Sequence, residues 1–90
     1  MKKIEIIPIA KRKCDRRNIS EKMITQTLNS PIEVVEGYGG RRVAHRKYRI
    51  AGKEYLLRVI FEEKEETCIV VSAYLTSQIR RYWKGVKDED

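Results

Sequence analysis

Apolar and polar positions change rhythm part-way along this chain, and the change divides it into a helical and a β half. Lys3 to Ile7 predicts a short strand. Pro8 suits the first turn of a helix, where its missing N–H has no partner to lose. Ala10 to Arg17 continues as a basic helical segment, which Asn18 can end. Ser20 is placed to cap a second helix, with Ile19 and Ile24 spaced for a hydrophobic staple and Met23, Ile24, Thr27 and Leu28 as the buried stripe. Asn29, Ser30 and Pro31 stop it.

From Ile32 the period is two. Ile32–Glu36 predicts a strand, Gly37-Tyr38-Gly39-Gly40 a flexible connection, and Arg41–Ile50 a second strand turned by Ala51-Gly52. Lys53–Glu62 is a third, with Tyr55, Leu57, Val59 and Phe61 on one face and Leu56, Arg58 and Ile60 on the other. Glu62–Glu66 reads as a charged turn. Thr67–Leu75 is β-branched and continuously apolar, as central strands are. Thr76 or Ser77 is placed to cap a last helix that presents Ile79, Tyr82 and Trp83 to the sheet, and Gly85–Asp90 reads as a frayed tail. The expected class is α+β: a short N-terminal strand and helical hairpin, a four-stranded antiparallel meander and a C-terminal helix. Ninety residues allow one domain, spanning 1–90, with one modest core.

Composition adds two constraints. No apolar run approaches the ~18 residues that span a bilayer, and Ile4 to Ala10, broken by Glu5 and Pro8, is not a secretory signal. Cys14 and Cys68 lack metal-ligand spacing and read as reduced thiols of a cytoplasmic protein. The formal charge is +7, from 20 Lys and Arg against 13 Asp and Glu. Positive charge gathers at Lys11–Arg17 and Arg41–Arg58, negative charge at Glu62–Glu66 and Asp88–Asp90. Segregation of this kind favours a polyanionic partner, whereas solubility alone is served by mixed signs.

The longest cationic stretch holds the candidate chemistry. Between Arg41 and Arg58 seven Lys or Arg residues stand against one carboxylate, Glu54, and surround the chain's single histidine, His45. Alternation points Val43, His45, Lys47 and Arg49 to one face and Ala44, Arg46, Tyr48 and Ile50 to the other. RNA can be cleaved without metal: the 2′-hydroxyl attacks phosphorus, a base takes its proton, cations stabilise the phosphorane and an acid protonates the leaving oxygen. Proton transfer of this kind gives roughly 10²–10⁴-fold, and stabilisation of the developing charge is often the larger effect. His45 is the candidate base or acid, Lys47 shares its face, and Arg58 joins them if the hairpin register sets it opposite. Tyr74 is a candidate to position a phosphate or stack on a base. Candidate RNA contacts are Arg41, Arg42, Arg46 and Arg49, Lys11, Arg12 and Arg16 on the first helix, and Arg80 and Tyr82 near the end. The bland alternatives are a structural histidine, an Arg58 salt bridge, aromatic core anchors at Tyr82 and Trp83, and a solvated basic helix. No residue cluster suggests zinc or carboxylate-bound magnesium, and no cofactor is expected.

Several motifs also resemble a known family. Arg17-Asn18-Ile19-Ser20 followed by Leu28-Asn29-Ser30-Pro31 resembles the pattern R-G-I-S … L-x-N-P of a bacterial family of small domains of unknown function. Gly40-Arg41-Arg42, Lys53 to Val59, Tyr74-Leu75-Thr76-Ser77 and Arg81-Tyr82-Trp83 continue it, so the likeness covers nearly the whole chain. That family resembles BrnT-type toxins and, more distantly, RelE-like toxins; Val71-Ser72-Ala73 with Arg80-Arg81-Tyr82 is similar to the I-S-A-R … E-R-x-x-Y end of BrnT. Ile9 or Ala10 stands where that pattern has histidine, and Tyr74 where it has arginine. The resemblance implies a RelE-like compact domain and the toxin half of a toxin–antitoxin pair. Such a toxin would be a metal-independent endoribonuclease acting on messenger RNA, free or on the ribosome, and neutralised by a small acidic antitoxin. The alternatives from other classes are a non-catalytic RNA- or protein-binding module and a degenerate toxin relative that keeps only the partner interface.

Overall fold

The alternation after Asn29 builds four strands, and the segment before Pro8 supplies a fifth. The computed structural model describes residues 3–83, so the tail expected over 85–90 lies outside the described residues. Strands β1 (Lys3–Ile6), β2 (Glu33–Glu36), β3 (Arg42–Ile50), β4 (Lys53–Lys64) and β5 (Thr67–Thr76) form one sheet in the order β1-β5-β4-β3-β2. The pairs β2–β3, β3–β4 and β4–β5 are antiparallel, and β1 runs parallel to β5, so the sheet is mixed. Helices α1 (Pro8–Arg16) and α2 (Glu21–Asn29) link β1 to β2, and a single turn, α3 (Ile79–Tyr82), follows β5. The result is a compact α+β fold.

Local signals account for the helix ends. Pro8 opens α1, and Asn18 takes a left-handed φ of 60° just beyond it. The Ser20 hydroxyl accepts a bond from the Met23 N–H at 3.1 Å, which caps α2. The last helix is shorter than its sequence suggests and starts after Gln78, because Thr76 Oγ1 takes the Gln78 N–H at 3.0 Å. The connection Tyr38–Gly40 is a 3-10 turn. Ala51 and Gly52 both adopt positive φ, 52° and 79°, and close β3 onto β4 in a two-residue hairpin of the kind whose twist matches the strands. Among β4 and β5 one extra residue bulges opposite the Ile60–Phe61 step.

Helices α1 and α2 cover one face of the sheet, α1 over β5 and α2 over β3 and β4. The core lies between them: Cys14, Ile19 and Ile24 from the helical side meet Leu57, Val59, Val70 and Ala73 from the strands. A smaller group of Ala44, Phe61 and Cys68 extends it. Ile19 and Ile24 are both buried there, as the staple requires. Cys14 and Cys68 are free thiols inside this core, and burial pushes the Cys14 thiol up despite the nearby Arg17. Among the described residues no helix is long and apolar enough to cross a membrane.

Two substitutions test this packing by chemical denaturation. Leu57→Ala, at a fully buried site, lowers stability by about 2–5 kcal/mol. Ala51→Asn, which suits a left-handed turn position better than alanine, raises stability by up to about 1 kcal/mol.

Candidate RNA-binding site

Strand register brings four polar side chains into one row across the sheet. Glu33 of β2 lies opposite His45 of β3, His45 opposite Arg58 of β4, and Arg58 opposite Tyr74 of β5. Side chains that face one another across neighbouring strands stand close enough to interact. Alternation turns this row away from the helix-covered face, because Ala44, Leu57, Val59 and Ala73 already point to the core.

The row is continuous. His45 Nδ1 and Glu33 Oε2 are 2.8 Å apart. Arg58 Nε donates to His45 Nε2 at 3.0 Å, and Arg58 Nη1 donates to the Tyr74 hydroxyl. The guanidinium also lies over the Tyr82 ring, 4.2 Å from its centroid, while Tyr74 and Tyr82 meet edge to face at 6.3 Å. Helix α3 therefore roofs the row with Tyr82. His45 is 0% exposed, and Arg58 and Tyr74 are half-buried.

These contacts fix the protonation of the imidazole. A guanidinium has only donors, so Nε2 must carry the lone pair and Nδ1 the proton, which it donates to Glu33. His45 is neutral in this arrangement. Burial pushes its pKa below the ordinary imidazole value, and Arg58 pushes the same way, against the bond to Glu33 and its charge. His45 thus holds Arg58 in place. Its ring is closed to solvent with both nitrogens bonded, which does not fit the expected role of base or acid at a substrate.

Lys47 lies one step along the same face. Its ammonium sits 4.3 Å from the Trp83 ring centroid and 3.8 Å from a Glu54 oxygen. A cleft of about 460 Å³ opens there, lined by Lys47, Glu54, Gln78, Arg80, Arg81 and Trp83. Arg49 is farther along, with its guanidinium on the Gly52 carbonyl at 3.2 Å. Of the expected site residues the fold thus gathers His45, Arg58, Tyr74 and Tyr82 in one network and sets Lys47 and Arg80 at the neighbouring cleft.

The remaining candidates are dispersed. Arg46 turns to the helix-covered face and donates to the Ser30 carbonyl at 2.7 Å. Lys11, Arg12 and Arg16 are exposed on α1, which also packs on that face, and Lys11 pairs with Glu21 at 3.1 Å. Arg41 pairs with Glu62 at 2.8 Å and Arg42 with Glu63 at 3.0 Å. Such exposed pairs contribute about 0–1 kcal/mol, so they open readily to a competing anion. No group of three or more metal-ligating side chains gathers among the described residues.

No protein-family model, curated protein or solved structure matches the chain. Sequence reasoning missed Glu33, the anchor of the row, because nothing in its position gives the β2–β3 register. It also passed over Trp83 as a core residue. The signal for Trp83 was its place after Arg80-Arg81-Tyr82, at the end of a segment otherwise rich in cations.

A pKa held below its unfolded value makes stability depend on pH. Lowering the pH from about 7.5 through 6.5 protonates the unfolded imidazole first, so the stability contributed by neutral His45 falls toward its lower folded pKa. Thermal unfolding between pH 7.5 and 5.5 shows a falling melting temperature, and His45→Gln flattens that slope. An equal slope in both proteins contradicts the assignment.

Proposed function

We propose that the protein binds single-stranded RNA on the open face of the sheet, with Arg58 as the principal phosphate contact and Lys47 and the cations of α3 extending the path. The observation that carries this reading is the placement of Arg58. Its guanidinium is tethered through Nε to His45 beside two tyrosine rings, so a cation and an aromatic surface stand together on the face that the helices leave open. Guanidinium geometry matches a phosphate, and aromatic rings beside cations are what single strands use for sequence-tolerant binding. The clustered charge of the chain supports a polyanionic partner.

A second reading within the same site is the metal-independent endoribonuclease of a toxin–antitoxin pair, on a RelE- or BrnT-like fold with a four-stranded meander. The Tyr74 hydroxyl favours it. That hydroxyl is bonded to the same guanidinium that would hold the phosphate, which pairs a proton-transfer group with a charge-stabilising one. In this reading His45 orients Arg58, and a small acidic antitoxin would occupy the cationic face in competition with messenger RNA.

Binding of a fluorescently labelled, unstructured RNA tests the first reading. Affinity falls with salt, with a slope of log K against log salt of about −2 to −3, as three or four phosphate contacts on a single strand give. Arg58→Ala weakens binding about tenfold to a hundredfold, the value of a charge-assisted bond, while Arg46→Ala on the opposite face changes it less than about twofold. Absent or salt-independent binding refutes the proposal. For the second reading, purified protein cleaves messenger RNA and expression arrests growth, and Tyr74→Phe abolishes both while RNA affinity is kept; intact RNA and normal growth refute it.

A further inference from the structure

The proposed phosphate contact is tethered to an imidazole, and the tether works in one protonation state only. Neutral His45 offers Nε2 as an acceptor to the Arg58 Nε–H at 3.0 Å. Once a proton from solvent occupies Nε2, two donors and two positive charges face each other, and the bond cannot persist. The Nδ1–H bond to Glu33, at 2.8 Å, survives and strengthens, because the imidazolium now meets a carboxylate. The ring has a reason to stay and the guanidinium a reason to leave.

We propose that His45 is a proton-operated latch on Arg58: the neutral ring holds the guanidinium in the sheet row, and the protonated ring releases it outward to an RNA phosphate. The inference rests on the RNA-binding reading for its outward half. The charged groups that bear on the ring are Glu33 from β2, Arg58 from β4 and Lys47 two residues along β3 on the same face. From β5 and α3, Tyr74 and Tyr82 reach it only through Arg58. Glu33 favours the imidazolium, and Arg58 opposes it until it moves. Release gives up the Tyr74 bond and the ring contacts as well, so a phosphate that takes the guanidinium supplies what the row loses. Binding is then coupled to uptake of one proton, and RNA in turn makes His45 easier to protonate.

Two readouts on the intact chain test this. The first is the affinity for an oligouridylate from pH 7.5 to 5.0 at constant ionic strength. Affinity rises on acidification, at up to about tenfold per pH unit, the slope of a single proton taken up. The rise sets in below the ordinary imidazole value, because burial lowers it. His45→Gln, which cannot titrate, loses the rise. The second is nitrogen NMR of the wild-type chain without RNA, which stays decisive if His45→Gln does not fold. The imidazole is in the Nδ1–H form at pH 7.5, and the Arg58 Nε resonance moves in step with its titration. Affinity that falls on acidification, or a rise that persists in folded His45→Gln, overturns the latch. An Arg58 Nε resonance that ignores the imidazole overturns it independently. Absence of RNA binding at every pH, with Arg58 still following His45, overturns the binding reading and the outward half of the proposal.

Discussion

An imidazole with no exposure to solvent must find a partner for each ring nitrogen inside the protein. In this fold the two partners come from different strands, a carboxylate from β2 and a guanidinium from β4. That requirement is severe. A one-residue slip in either pairing would turn Glu33 or Arg58 to the other face and leave a buried nitrogen unbonded. The row Glu33–His45–Arg58–Tyr74 therefore ties the register of four strands to one chemical condition, and it does so on the face that α1 and α2 leave uncovered. The apolar core holds the sheet against its helices. The polar row aligns its strands.

The period of the chain made much of this legible. Alternation through Arg41–Ile50 and Lys53–Glu62 assigns His45, Lys47 and Arg58 to faces, and the Ala51-Gly52 turn sets the hairpin that places Arg58 opposite His45. Ser20 and Ile24 mark the start of α2 because capping and stapling are local chemistry. What stayed hidden depends on distant contacts. The parallel pairing of Lys3–Ile6 with β5 joins segments more than sixty residues apart, and no local preference encodes it. Glu33 looks like an ordinary strand carboxylate until β2 is laid beside β3. Trp83, which reads from sequence only as a core anchor, lies over Lys47, and Tyr82, a candidate RNA contact, lies over Arg58.

The split of the positive charge also follows from alternation. Neighbouring cations along β3 point to opposite faces, so the dense run in sequence does not become one dense patch in space. Arg46 goes to the helical side and Lys47 to the open side. Carboxylates quench part of the remainder at Arg41, Arg42 and Lys11. Placement therefore distinguishes the proposed site more than charge density does: one guanidinium tethered to a histidine, with aromatic rings behind it and further cations beside it. This is why Arg58, a single residue between two apolar neighbours in sequence, is the proposed phosphate contact rather than the seven-cation run that contains it.

The most direct test of the account is to follow the side-chain Nε–H resonances of the arginines while an unstructured RNA is titrated into the protein. The account predicts a saturable, salt-sensitive shift at Arg58, with Arg46 on the opposite face unmoved. Shifts confined to Arg12 and Arg16 on α1, with Arg58 unchanged, would place RNA on the other side of the sheet and contradict it.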